Sequence, residues 1–223
     1  MHIPDGFIPL WQCAIYILLM FIAWGFTLKW LVESLIKFEK EKPSTVRIIF
    51  YIILTVIILP SFIFVVQAFN IPIPWGVGLS LMGSALVAII YRSPWGAVMI
   101  MSLVLMVQGL LFGDGGLTTL GANIINIGVI GGFTGFYIYK FAKPLGDIPR
   151  ALIGGWFAGF ASLIVVGMAV AFEMALAGTF PLSLGFISQF IYSTVGGIFE
   201  GIMTMIGCII LLFLRSEIKN LDK

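Results

Sequence analysis

Apolar residues run along this chain in long stretches, and the polar ones gather in short clusters between them. The runs cover about 7–28, 48–69, 76–91, 95–112, 117–139, 151–176 and 182–214. Most approach or exceed the ~20 residues that a helix needs to cross a bilayer core; the third and fourth are the shortest. The pattern predicts an all-α, polytopic membrane protein: seven transmembrane helices in a single integral membrane domain, residues 1–223. The clusters between runs are breakers. Asn70-Ile71-Pro72-Ile73-Pro74-Trp75 puts two prolines in three residues, which excludes helix and forces extended backbone. Arg92-Ser93-Pro94 reads as a tight turn, Gly113-Asp114-Gly115-Gly116 as a glycine-rich turn, and Gly178 and Pro181 end the sixth run. Lys29 is expected to stop the first span. The densely charged stretch 29–47 then reads as a loop holding a short amphipathic surface helix over 30–38.

Composition agrees with a bilayer as solvent: 61% of residues are hydrophobic, 10% are charged, and mean hydropathy is +1.14. A net charge of +2 gives no reason to expect nucleic acid as a partner. Where the charges lie says more. With seven spans, Lys29, Lys37, Lys40, Lys42 and Arg47 follow span one. Arg92 follows span three; Lys140, Lys143 and Arg150 follow span five; Arg215, Lys219 and Lys223 follow span seven. All fall on one side, which the positive-inside rule makes cytoplasmic. The amino terminus is then outside, the carboxyl terminus inside, and 29–47 a cytoplasmic loop of a multi-pass cell-membrane protein. The first span lacks the basic leader of a cleaved signal peptide and is expected to be retained. Cys13 and Cys208 fall near opposite faces and read as small buried apolar residues.

The candidate chemistry is sparse. There is no Walker A sequence, HExxH, GxSxG or Cys/His cluster, so an enzyme is not expected. Polar residues within spans are Gln108, Asn123, Asn126 and Glu200, with Gln67, Glu173 and Gln189 nearer the outer ends. Glu200 is the costliest in a bilayer; it reads either as a supporting acceptor or proton carrier, or as a hydrogen-bonded packing device. Gly128/Gly132, Gly131/Gly135, Gly155/Gly159 and Gly197/Gly201 have the spacing that lets helix backbones approach closely, chiefly for internal packing. His2 is the sole histidine. The Met1 amine, the His2 amide and His2 Nδ1 are spaced to close a five- and a six-membered chelate ring if the amide deprotonates. That nitrogen set suits Ni²⁺, Cu²⁺ or Co²⁺ better than tetrahedral Zn²⁺. The bulk of His2 is expected to protect Met1 from removal. The competing reading is a solvated terminal residue, since no second histidine exists to complete a site.

Several stretches together resemble the substrate-binding S component of cobalt and nickel energy-coupling factor transporters, the CbiM/NikM family. They are Met1-His2-Ile3-Pro4-Asp5-Gly6-Phe7, the 70–74 turn, the run 107–123 (VQGLLFGDGGLTTLGAN), the stretch 172–179 (FEMALAGT) and the stretch 200–204 (EGIMT). The resemblance implies that the first residues fold back into the bundle and bind Co²⁺ or Ni²⁺ as transported substrate, through the three nitrogens of Met1 and His2. It implies no organic cofactor. The implied partners are a membrane coupling (T) subunit, two cytoplasmic ATPase subunits and membrane lipid. Asn70, Gln108, Asp114, Asn123 and Glu200 are expected to support the site or the fold. The chain departs from the family where a fourth nitrogen is usual: that histidine position is Ser80, and a further one is Ser193. Water or a backbone carbonyl then fills the place, or the metal differs or is more weakly held, or the site is degenerate. In the last case the fold would serve as a scaffold subunit or as an S component for an organic solute.

Overall fold

Inside a bilayer every polar backbone group must be satisfied by the chain itself, which favours helices. The computed structural model describes the backbone of residues 1–221. The apolar runs become α1 (Leu10–Lys40), α2 (Thr45–Ala68), α3 (Ser84–Ile90), α4 (Pro94–Phe112), α5 (Leu120–Leu145), α6 (Asp147–Leu176) and α7 (Leu182–Leu221). Six of these, all but α3, are long and apolar enough to cross a membrane. Among the described residues no strand forms, only an antiparallel bridge between Ile71 and Leu79.

Two expectations need revision. Lys29 does not stop the first helix: α1 continues to Lys40. A lysine ends an apolar stretch without breaking a helix; Pro43 and the Ser44 cap, whose hydroxyl accepts from the Arg47 N–H at 3.3 Å, mark the real boundary. The third apolar run is helical only over Ser84–Ile90. Residues 70–80 are a hairpin closed by two bonds of 2.7 and 2.8 Å between Ile71 and Leu79. Helix begins only after Gly83, whose φ of +73° is a left-handed value that a side chain would resist.

The bundle is apolar on its outer face as well as in its core, and polar residues are set within that core. Leu18, Phe21, Ile22 and Phe26 of α1 are exposed, whereas Gln67, Asn126, Ser162, Glu200 and Thr204 are fully buried. A surface of that kind matches lipid, and most of the buried polar side chains bond a side chain or the backbone within: Asn126 to Glu173, Gln67 to the Met82 carbonyl, Ser162 to the Gly131 carbonyl and Glu200 to the Met82 and Gly83 N–H groups. The glycine pairs are all used internally. A Cβ on Gly159 would meet the Glu200 carbonyl oxygen at 2.5 Å, and one on Gly201 the Trp156 carbonyl oxygen at 2.7 Å. Gly155 and Gly197 seat α7 against α6 in the same way. Gly128 lies on Val98, Gly132 on Ala97, Gly131 on Ser84 and Ser162, and Gly135 on Ala85. The π-helical turn Leu54–Ile58 within α2 precedes Pro60, which cannot donate to the helical ladder.

Four connections meet at one end of the bundle: residues 1–9, 69–83, 113–119 and 177–181. Thr179 donates its hydroxyl to the Phe7 carbonyl, and Ser188 donates to that of Pro74. The Phe180 ring packs edge-on against Phe7 at 6.1 Å and Trp75 at 6.4 Å.

Candidate functional site

The first residues of the chain turn inward at this end. Met1, His2 and Ile3 are 0–2% exposed, although they precede the first helix. Ile3 anchors them. Its N–H donates to Asn123 Oδ1 at 2.8 Å, and its carbonyl accepts from Thr119 Oγ1 (2.6 Å), Asn123 Nδ2 (3.1 Å) and the Gly116 N–H (3.2 Å). Asp5 lies just ahead of α5, where its carboxylate accepts from the Leu117 and Thr118 N–H groups (3.1 and 2.9 Å) and from the Thr118 hydroxyl. Unpaired N–H groups and the helix dipole favour an anion there, and the Thr118 hydroxyl bond leads in holding the Asp5 carboxyl below its ordinary range. The glycine-rich turn lets this happen: a Cβ on Gly115 would stand 3.3 Å from His2 Cβ, and one on Gly116 would collide with Asp5.

The Met1 amine donates to the Gly78 carbonyl and to Ser80 Oγ, the latter at 2.9 Å. The hairpin therefore presents both acceptors, and Asn70, itself exposed, packs its amide over the bare Cα of Gly78. The Met1 methyl and Ser193 crowd the bare Cα of Gly167. His2 Nε2 lies 3.3 Å from Gln67 Oε1. Gln67 donates its own Nε2 to the Met82 carbonyl at 2.9 Å, which turns its oxygen toward the histidine. An oxygen there accepts only, so His2 carries its proton on Nε2 and keeps a lone pair on Nδ1. That Nδ1 is buried, has no hydrogen-bond partner among the described residues, and faces Asp114 Oδ1 at 3.5 Å. The His2 amide N–H makes no hydrogen bond among the described residues. Burial pushes the Met1 amine down to about 5, with the Asp114 charge opposing, and the imidazole down to about 3, helped by the amine's charge. Burial also raises Asp114 against the pull of the amine. At neutral pH the amine and imidazole both offer lone pairs, and the arrangement can act as a chelate. Among the described residues no three His, Cys, Asp or Glu side chains gather elsewhere to hold a metal ion.

Met1, His2, Ser80, Asp114 and Asn123 are thus brought together. Gln108 supports them from the backbone, its carbonyl accepting from the Asp114 N–H at 3.1 Å, while its buried side-chain amide has no partner among the described residues. Glu200 has a different task. Its carboxylate accepts from the Met82 and Gly83 N–H groups, each at 2.8 Å, and so caps α3. Asn126 donates to Glu173 at 2.7 Å, and Gln12 donates to the Glu173 carbonyl at 3.1 Å, in a buried polar cluster that includes Tyr16. Gln67, noted in the sequence as a polar residue near the outer end of its span, was not assigned to the site. Its signal was a glutamine in an apolar span, three residues before the Asn70 turn.

Comparison with known proteins gives the same direction. Residues 2–218 match the family described as the cobalt uptake substrate-specific transmembrane region. The chain is 35% identical over 168 residues to a protein of Methanocaldococcus jannaschii assigned to metal transport, covering 75% of this chain and 69% of that one. It is 34% identical over 187 residues to the cobalt transport protein CbiM of Thermosynechococcus vestitus, covering 83% and 66%. It spans only about half the length of the fused nickel transport protein of Rhodobacter capsulatus, 48%. The crystal structure of a truncated transition metal transporter superposes with a TM-score of 0.74 at 27% identity, over 97% of this chain and 99% of that one. This multi-pass membrane chain therefore belongs to the CbiM/NikM family of cobalt and nickel transport proteins.

Proposed function

We propose that this chain is the substrate-capture subunit of an ATP-driven importer of energy-coupling-factor type, and that its substrate is Co²⁺ or Ni²⁺. The Met1 amine, the His2 amide and His2 Nδ1 take the ion from outside. A separate membrane coupling subunit and two cytoplasmic ATPase subunits supply the work of release, and this chain catalyses no reaction. Seven crossings, with α3 and the extended residues before it forming the third, put the amino terminus outside. The distribution of Lys and Arg supports that orientation. The relatives' names for cobalt and nickel transport support the class of ion.

One observation carries the reading: a histidine at the second residue is buried with Nδ1 unpartnered among the described residues, beside an amine that burial keeps neutral. Leaving polar atoms buried and unused costs about 1–3 kcal/mol each, a cost that a bound ion removes. The test is metal content by mass spectrometry of the purified protein after exposure to Co²⁺, Ni²⁺, Cu²⁺ and Zn²⁺, beside His2→Ala. Stoichiometric Co or Ni, lost in the variant, is the expected result. Protein that takes up no ion in either form would sink the capture role and leave a scaffold subunit or an organic-solute carrier.

A further inference from the structure

Starting from the capture reading above, we infer that the Asp114 carboxylate is the fourth donor to the captured ion, completing an N₃O set with the Met1 amine, the His2 amide and His2 Nδ1.

Hydrogen counting removes the obvious alternative. A metal-bound primary amine still carries two hydrogens. Two acceptors already stand at the Met1 amine, the Gly78 carbonyl and Ser80 Oγ. Ser80 is therefore used as an acceptor that aims the amine's remaining lone pair, and a neutral hydroxyl is in any case a poor ligand for a borderline ion. The fourth donor must come from another direction.

Asp114 faces the one ring nitrogen that lacks a partner. Its Oδ1 lies 3.5 Å from His2 Nδ1, too far for a hydrogen bond. Two donors each ~2.1 Å from one ion stand about 3.0 Å apart at the right angle of a square-planar set and about 3.4 Å apart at a tetrahedral angle. The observed separation is within about half an ångström of either, so a small inward turn of the carboxylate makes it a ligand. The carboxylate accepts no hydrogen bond among the described residues, while its backbone is fixed by the bond from the Asp114 N–H to the Gln108 carbonyl. It is a free donor on an anchored stem. Charge points the same way. A divalent ion bound to one deprotonated amide keeps a single positive charge beside the buried Met1 and His2, and the half-buried Asp114 carboxylate brings the assembly to neutrality. An uncompensated charge there would be costly.

The experiment titrates the purified full chain and Asp114→Asn with Co²⁺ and with Ni²⁺ by calorimetry, and records the visible absorption of the Co²⁺ form. Asparagine preserves size and removes the charged donor, and the thermal midpoint of the metal-free proteins checks that folding is unchanged. The expected result is at least ~10–100-fold weaker binding together with a changed Co²⁺ spectrum. Wild-type affinity in Asp114→Asn would overturn the assignment. Weaker binding with an unaltered spectrum would overturn it too, since Asp114 would then be a nearby charge and not a ligand. If the wild-type chain itself binds neither ion, the capture reading fails and this inference falls with it, a result distinct from either of the others.

Discussion

The Met1 amine and the His2 imidazole lose their charges to burial before any ion arrives. A solvent-exposed terminus has its amine near 8 and its imidazole near 6.5, so binding an ion at pH 6 would expel about three protons, counting the amide. Here the amine stands at about 5 and the imidazole at about 3. At pH 6 only the amide proton remains to leave, and release of about one proton per ion is expected. Protons compete with the ion, so affinity falls as pH falls: gently from pH 8 down to about 5, then more steeply as the amine protonates. Calorimetry at pH 6 in buffers of different ionisation enthalpy counts these protons; a count near three would mean the terminus is solvated and not buried. The spacing of the three nitrogens of the proposed chelate was legible in the sequence because they are neighbours along the chain. Gln67 and Asp114 were not legible as partners of His2, because contacts across 65 and 112 residues are created only by the fold.

Among the elements, α3 explains why a glutamate sits in a bilayer. Its helix starts from a left-handed glycine and is buried over Ser84–Ile89, and the N–H groups of Met82 and Gly83 just before it are buried too, with no water to bond. Glu200 of α7 reaches across to accept two bonds there. Glu200→Ala leaves two buried donors unmatched and is expected to cost about 3 kcal/mol or more; Glu200→Gln, which keeps an acceptor, should recover part of that. Thermal unfolding in detergent reads the difference, and an unchanged midpoint in the alanine variant would remove the capping role. The long helices were legible because an apolar run is itself the signal for a membrane span. The third run was misread for a related reason. Its residues are apolar because they are buried by neighbouring helices, and hydropathy does not distinguish protein from lipid as the apolar surroundings. The extension of α1 to Lys40 was hidden by the opposite effect, since charge marks the end of an apolar stretch and not of a helix.

On the scale of the whole molecule, the two ends of the bundle differ in charge. The connections that meet around Met1 carry Asp5 and Asp114 and no Lys or Arg. All twelve Lys and Arg residues belong to 29–47, to Arg92, to 140–150 or to the region after Leu214. An acidic mouth concentrates cations before any ligand is engaged, and a basic opposite end fixes which way the chain inserts. The proposed capture role needs both to hold at once, because a site for scarce ions is useful only if its mouth faces the source. Single cysteines test this in cells. Pro72 lies in the hairpin beside the site and Lys143 in the connection between α5 and α6, and both are exposed. The native Cys13 and Cys208 are buried and give a low background. A membrane-impermeant maleimide added to intact cells is expected to label Pro72→Cys, and to reach Lys143→Cys only after the membrane is opened. The reverse pattern would place the acidic mouth in the cytoplasm, where the same site would face exported or stored metal, and uptake could no longer be its task. Labelling of both from outside would mean an even number of crossings between them, and α3 with its extended approach would then not traverse the bilayer.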